Sequence, residues 1–162
     1  MSQSPRLTVE LVPATCWYSN VRSNVPPKIW KVLQQNTFGR ANHRCEVCGG
    51  RGRRWPVEAH EIWEYDDSKR IQRLTGLIAL CPACHEVKHI GLAEVRGRLE
   101  SALAHLARIN DWSASEARHY VEECFRLWEQ RSRYPWQLDL SWLSEQGIPL
   151  PRQLDRTSEP LP

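Results

Sequence analysis

Cys45-Glu-Val-Cys48 and Cys81-Pro-Ala-Cys84 are two Cys-x-x-Cys pairs, and the second runs directly into His85 and His89. Thiolates grouped this way are soft, anionic ligands, and four of them close a tetrahedral zinc site. With every position filled by sulfur, such a site has no room for substrate, so its expected role is structural. His85 and His89 are four residues apart, which puts both on one face of a helix. His60 lies between the pairs, in Val57-Glu-Ala-His-Glu-Ile-Trp63. The spacing predicts one metal that holds the fold and a second centre that works.

A redox pair or buried free thiols are the plainer readings of Cys-x-x-Cys, but two pairs in one short region favour zinc. A unit of about fifty residues also needs such a staple, because it buries too little apolar surface alone. The segment 1–12 has no apolar run of signal-peptide length, and no stretch is long enough to span a bilayer. A reducing, cytoplasmic compartment without membrane association is therefore expected, with Cys16 and Cys124 as small buried hydrophobes. The net charge of +3 is mild and does not by itself mark a nucleic-acid binder. Arg40, Arg44, Arg51, Arg53 and Arg54 nevertheless cluster around the first Cys pair, opposed only by Glu46.

The elements that must position these groups follow from patterning. Residues 7–11 alternate as a short half-buried strand, ended by Pro13. Pro26 and Pro27 introduce a helix over 28–35, closed by Gly39. Residues 45–63 read as a hairpin around the first Cys pair, with Gly49, Gly50 and Gly52 supplying a tight turn that brings backbone amides to a metal-bound sulfur. The apolar run 77–80 leads into a helix over 82–89, with Pro82 in its first turn and Gly91 as its stop. Two amphipathic helices follow. Val95, Leu99, Leu103 and Leu106 line the first; Ser113 and Glu116 open the second with a capping box, and Ala117, Val121, Cys124 and Trp128 form its stripe. Residues 136–142 suit a strand, with a helix from Ser141 an equal alternative. Four prolines in 149–162 suggest a disordered tail. Trp17, Trp30, Trp55 and Trp63 are read as packing groups, and Asp66 and Asp67 as turn residues.

The order Cys-x-x-Cys, a hairpin carrying His, then Leu-x-x-Leu-Cys-x-x-Cys-His-x-x-x-His resembles the HNH endonuclease family over about residues 41–91. The resemblance implies a ββα-metal unit that hydrolyses phosphodiester bonds with one divalent ion. In that family the hairpin carries a metal ligand followed by a general-base histidine, usually then Ile. Alignment on Ile62 makes His60 the ligand and Glu61 the base; the other register makes His60 the base and leaves Ala59, which has no donor atom, at the ligand position. The first register keeps a full ligand set of His60, His85 and His89, with His89 a ligand or the acid for the leaving group. Two departures stand out. The base is a carboxylate, and Gly76 occupies the place of an asparagine that usually braces the loop bearing the base.

The sequence thus predicts an α+β, mainly α chain. An N-terminal strand and helix segment (1–40), a zinc-stapled ββα-metal unit (41–91), a helical hairpin packed on it (92–134) and a C-terminal extension (135–162) make up its length. The expected activity is metal-dependent cleavage of double-stranded DNA. The expected cofactors are structural zinc and a second divalent ion (Mg, Mn, Ni or Zn). The catalytic set is His60, Glu61, His85 and His89, and Arg51, Arg53 and Arg54 form a phosphate clamp, a solvated turn being the plainer reading of those arginines. A catalytically inactive zinc module of the same shape, binding nucleic acid or, through the C-terminal helices, a protein partner, is the alternative.

Overall fold

A computed structural model describes residues 4–16 and 20–150. The expectations placed on Trp17, on the start of segment 1–12 and on most of the tail 149–162 lie outside the described residues. The architecture is α+β: α1 (Val21–Asn24), α2 (Pro27–Arg40), β1 (Glu58–Asp66), β2 (Ile71–Leu80), α3 (Pro82–Lys88), α4 (Ile90–Val95), α5 (Leu99–Asn110), α6 (Ala114–Arg131), β3 (Gln137–Asp139) and α7 (Ser141–Glu145). No described helix is long and apolar enough to cross a membrane.

The sheet runs β1-β2-β3, with β1 and β2 antiparallel and β3 parallel to β2. This places the hairpin later than the sequence suggests. Residues 45–57 form turns and bends around the first Cys pair, and regular pairing starts only at Glu58 opposite Leu80. The glycines explain why no strand forms there. Gly49 sits at φ +72, and a side chain on Gly52 would lie 2.2 Å from the Trp55 carbonyl oxygen and 2.7 Å from Pro82 Cδ. Such close approaches make a compact knuckle rather than an extended ribbon. The knuckle is sewn to the end of β2 by Glu46, whose N–H donates to the Ala79 carbonyl (2.9 Å) and whose carboxylate accepts from the Ala79 N–H (2.7 Å).

Residues 7–11 form no regular element and pair with no strand. Their backbone bonds go instead to side chains: Leu7 N–H to Asn110 Oδ1 (3.0 Å) and Val9 N–H to the Tyr120 hydroxyl (3.2 Å). The Glu10 N–H donates to the Lys88 carbonyl at 3.1 Å. The segment is a strap across α3, α5 and α6, and its backbone demand is met without a ladder.

Helix ends differ from the sequence reading in three places. α2 runs through Gly39 to Arg40, and Asn42 and His43, at φ 51 and 54, turn the chain into the knuckle. Gly91 does not stop a helix; α3 passes at His89 into α4, which ends before Gly97 at φ 70. Val95 belongs to α4 and is 84% exposed, so it is not part of the α5 stripe. The capping box of α6 is present, with Ser113 Oγ accepting from the Glu116 N–H (3.2 Å) and the Glu116 carboxylate accepting from the Ser113 N–H (2.7 Å). Both alternatives for 136–142 occur in turn, as β3 and then α7.

Two cores result. One joins Leu7, the buried cysteines Cys45, Cys81 and Cys84, Val87 and Ile90 to the inner faces of α5 and α6. The other lies on the opposite side of the hairpin, where Val21, Val25 and Leu33 meet Leu74, Leu77, Leu140 and Leu143. The thiolate site is therefore embedded in a continuous apolar core shared with the C-terminal helices, which bury its wall.

Candidate metal centres

Cys45 and Cys48 come from the knuckle, Cys81 from the end of β2, and Cys84 from the first turn of α3; together they form a group able to hold a metal ion. Bonds of about 2.3 Å in a tetrahedron separate two sulfurs by about 3.8 Å. Cys48 Sγ and Cys81 Sγ are 3.6 Å apart. Crowding alone opposes the group's ionisation. A hydrogen bond from Cys84 holds the Cys45 thiol well below its ordinary range, and the same bond pushes Cys84 up, so the sulfurs compete for one negative charge. A divalent cation removes that conflict. The Cys48 N–H lies 3.5 Å from Cys45 Sγ and the Gly50 N–H lies 3.4 Å from Cys48 Sγ, as the glycine-rich turn predicts.

One support of this site is not readable from spacing. His105 on α5 places Nε2 3.2 Å from Cys84 Sγ, and Arg108 donates to its Nδ1 at 2.9 Å. The arginine makes Nδ1 the acceptor, so Nε2 carries the proton that points at the sulfur.

The second group is His60, His85 and His89, which can also hold a metal ion. His60 comes from β1, His85 from α3 and His89 from the α3–α4 junction. Their ring centroids are 4.7–5.3 Å apart, with planes crossing at 72–85°. Two ligand nitrogens on one tetrahedral ion stand about 3.3 Å apart. His85 Nε2 and His89 Nε2 are 3.1 Å apart. Carboxylates hold the far nitrogens of two of the rings. Glu10 Oε2 meets His60 Nε2 at 2.7 Å, and Glu58 Oε2 meets His85 Nδ1 at 2.6 Å. Bracing of this kind fixes tautomers, leaving Nδ1 of His60 and Nε2 of His85 as the inward lone pairs. Burial lowers the pKa of His85, and repulsion from His60 adds to it; desolvation by the surrounding groups, then repulsion from His60 and His85, lowers that of His89 although part of its side chain is exposed. Neutral imidazole is the ligand form. Ala59, the ligand position in the other register, contributes no donor.

Glu58 had a sequence signal, since a strand's period of two puts it on the same face as His60. Glu10 had none, because it reaches the site from the strap. Its second oxygen accepts from the Trp63 N–H at 3.1 Å, so this one carboxylate ties strap, strand and imidazole together.

Glu61 is half-buried, and its Oε1 accepts from the Val21 N–H at 2.7 Å, at the start of α1. Burial raises its pKa above the ordinary carboxylate range. It lines a cleft of about 230 Å³ together with His60, His85, His89 and Arg22. Successive strand residues face opposite ways, yet both His60 and Glu61 line this cleft. The Val21 N–H supplies a brace to Glu61 where Gly76 offers no side chain. Gly76 itself faces Ile62 across a break in register, and a Cβ there would sit 3.8 Å from Ile62 Cδ1, an ordinary contact.

The arginines around the first Cys pair have different partners. Arg40 donates to the Leu77 carbonyl and Glu46, Arg44 to the Gly49 carbonyl, and Arg51 to the Asn42 carbonyl. Arg53 and Arg54 are exposed in the loop before Trp55. Trp30 and Trp63 pack on the second core, whereas Trp55 is 47% exposed and is not a packing group. Asp66 and Asp67 serve the turn and an ion pair with Arg131. Cys16 is buried and Cys124 half-buried, in line with hydrophobic roles.

Comparisons of this chain with protein-family models, with curated proteins and with solved structures return no match.

Proposed function

We propose that this protein is a metal-dependent endonuclease of the HNH type, hydrolysing phosphodiester bonds in DNA. The four-cysteine group would hold structural zinc, and the three histidines a second divalent ion in a ββα-metal unit formed by β1, β2 and α3. The observation that carries this reading is the meeting of His60, His85 and His89, two of them braced by carboxylates, beside a half-buried glutamate in an open cleft. A closed structural site would need a fourth ligand; an incomplete set opening on a cleft is the arrangement of a working metal.

In the proposed reaction, His60, His85 and His89 would hold a divalent ion, whose chemistry would be Lewis-acid stabilisation of developing negative charge. Glu61 takes a proton from the attacking water as the water's oxygen bonds to phosphorus, and its raised pKa makes it a stronger base than an exposed carboxylate. The bond to the leaving oxygen breaks with its electron pair, and that oxygen gains a proton from solvent. Val21 holds the other oxygen of Glu61, limiting the carboxylate to one orientation.

The test is nicking of supercoiled plasmid with Mg²⁺, Mn²⁺, Ni²⁺ or Zn²⁺. His85→Ala and Glu61→Ala should each lower the rate at least about 100-fold, with zinc content and melting temperature retained. Cutting that survives in both variants overturns the proposal. A catalytically silent module is the competing reading, favoured by the commitment of Glu61 Oε1 to Val21. Absence of cutting by the wild type with every ion would establish it.

A further inference from the structure

His85 and His89 line two clefts, and the larger one has no role in the chemistry above. Its volume is about 650 Å³, and His85 and His89 form part of its wall. The rest is mainly apolar, with Trp55, Pro82 and Leu92 prominent. Trp55 is 47% and Leu92 46% exposed, so two large apolar side chains are left open to water in one hollow beside the candidate catalytic ion. The Trp55 loop is not slack. The Gly52 N–H donates to the Pro56 carbonyl at 2.9 Å, and the Trp55 carbonyl packs directly on Gly52. A rigid, exposed indole loses little conformational entropy when something flat covers it.

Charge narrows the choice of occupant. Among the acidic and basic groups of this cleft, Glu58 is bonded to His85, and Glu86 is paired with Arg98. Arg96 enters no ion pair among the described residues. The cleft therefore offers an aromatic face and one arginine held in no ion pair, a combination suited to a nucleotide.

We propose that this cleft seats one unpaired nucleobase, stacked on Trp55 on the leaving-group side of the scissile phosphate. The enzyme then acts at single-stranded or extruded nucleotides in preference to regular duplex. This inference rests on the nuclease reading, and on the placement of groups within it. Glu61 lines the smaller cleft and not the larger, Trp55 the larger and not the smaller, and His85 and His89 line both. In-line displacement puts the attacking and leaving oxygens on opposite sides of phosphorus. Water activated at Glu61 thus directs the departing nucleoside toward Trp55. Bases inside a regular duplex have both faces covered by neighbours, so only an unpaired or extruded base can present a face to the indole.

The test measures binding and cutting separately on the full-length, zinc-loaded protein. Binding is followed by fluorescence anisotropy without added divalent ion, using a labelled 12-nucleotide single strand, its duplex, and the duplex with a single-base bulge. The single strand and the bulge should bind more tightly than the duplex. Trp55→Ala should weaken them about 5- to 100-fold, Trp55→Phe should recover most of the loss, and duplex affinity should change less than twofold. Arg96→Gln should weaken every ligand and lower the salt dependence by about one phosphate contact. With the ion present, the same ranking should appear in cleavage rates. Trp55→Ala within twofold of wild type on the single strand overturns the inference, as does equal or tighter binding of the duplex. Loss of binding in Trp55→Ala without cutting by any variant overturns the nuclease reading and retains the cleft as a base-binding site.

Discussion

The two clusters share α3 yet are built on opposite principles. Three of the four cysteines are buried in the core, and Cys84 has no solvent exposure at all. Their supports are backbone N–H groups and His105, all donors, which offset the surplus negative charge of four thiolates. The histidines grade outward, from buried His60 through half-buried His85 to exposed His89, and their supports are the carboxylates of Glu10 and Glu58. Carboxylates raise the electron density of neutral rings that would otherwise bind a cation weakly. On the proposed reading, the closed cluster keeps a metal, and the open one keeps a metal and admits a substrate. Both depend on one short helix, so the first cluster also sets the position of the second.

The largest expected effect tests which cluster holds the fold. Cys84→Ser, or removal of metal by a strong chelator, should cost about 4 kcal/mol or more, read as a large fall in melting temperature with loss of one equivalent of zinc. His85→Ala should leave that melting temperature within a few degrees of wild type. Equal destabilisation by the two changes would erase the distinction drawn here.

Next come the braces. Glu10→Gln and Glu58→Gln should each weaken binding of the second ion about 10- to 100-fold, measured by calorimetric titration of zinc-loaded protein with Mn²⁺ or Ni²⁺, without altering zinc content. No change in Glu10→Gln would mean that the strap does not serve the site. A smaller effect is expected at the closed cluster. His105→Phe removes one donor to Cys84 and should cost about 1 kcal/mol, visible as a modest drop in melting temperature and faster loss of zinc to a chelator.

The smallest effect lies far from both clusters. Arg131 makes two hydrogen bonds to Asp67, 2.7 and 2.8 Å, and holds its pKa below the ordinary 3.8. A carboxylate lowered by folding contributes stability above its unfolded pKa and loses it as pH falls through the folded one. Asp67 is half exposed, so screening limits the term to at most about 0.5 kcal/mol. Asp67→Asn should therefore be slightly less stable than wild type at pH 6, and indistinguishable from it well below pH 3. A difference that persists in acid would show that the side chain acts through packing instead of charge.

Periodicity made some of this legible and left the rest hidden. The helical pair His85 and His89, the two cysteine chelates and the Ser113 capping box are all encoded within four residues, where backbone geometry alone decides proximity. The sequence reading misplaced the hairpin because Gly52 reads as a turn residue, whereas its actual role is to let Pro82 and the Trp55 carbonyl approach closely. It assigned a strand to 7–11 from alternation, which tells which residues face inward but not what pairs with the backbone. It grouped Arg51, Arg53 and Arg54 as a phosphate clamp because charge is visible in sequence, whereas the Asn42 carbonyl to which Arg51 donates is not.

From the chain of amino acids alone, then, come the ligand types and their local spacing, since a Cys-x-x-Cys turn and an i, i+4 histidine pair bring donors together wherever they fold. Tertiary structure alone decided that Glu10 should hold His60, that His105 should face Cys84, and that Trp55 should be bare. Those relations join residues from separate elements, and no short-range regularity constrains them. They follow from how the strap, the knuckle and the C-terminal helices close around α3, which only the packing of the whole chain fixes.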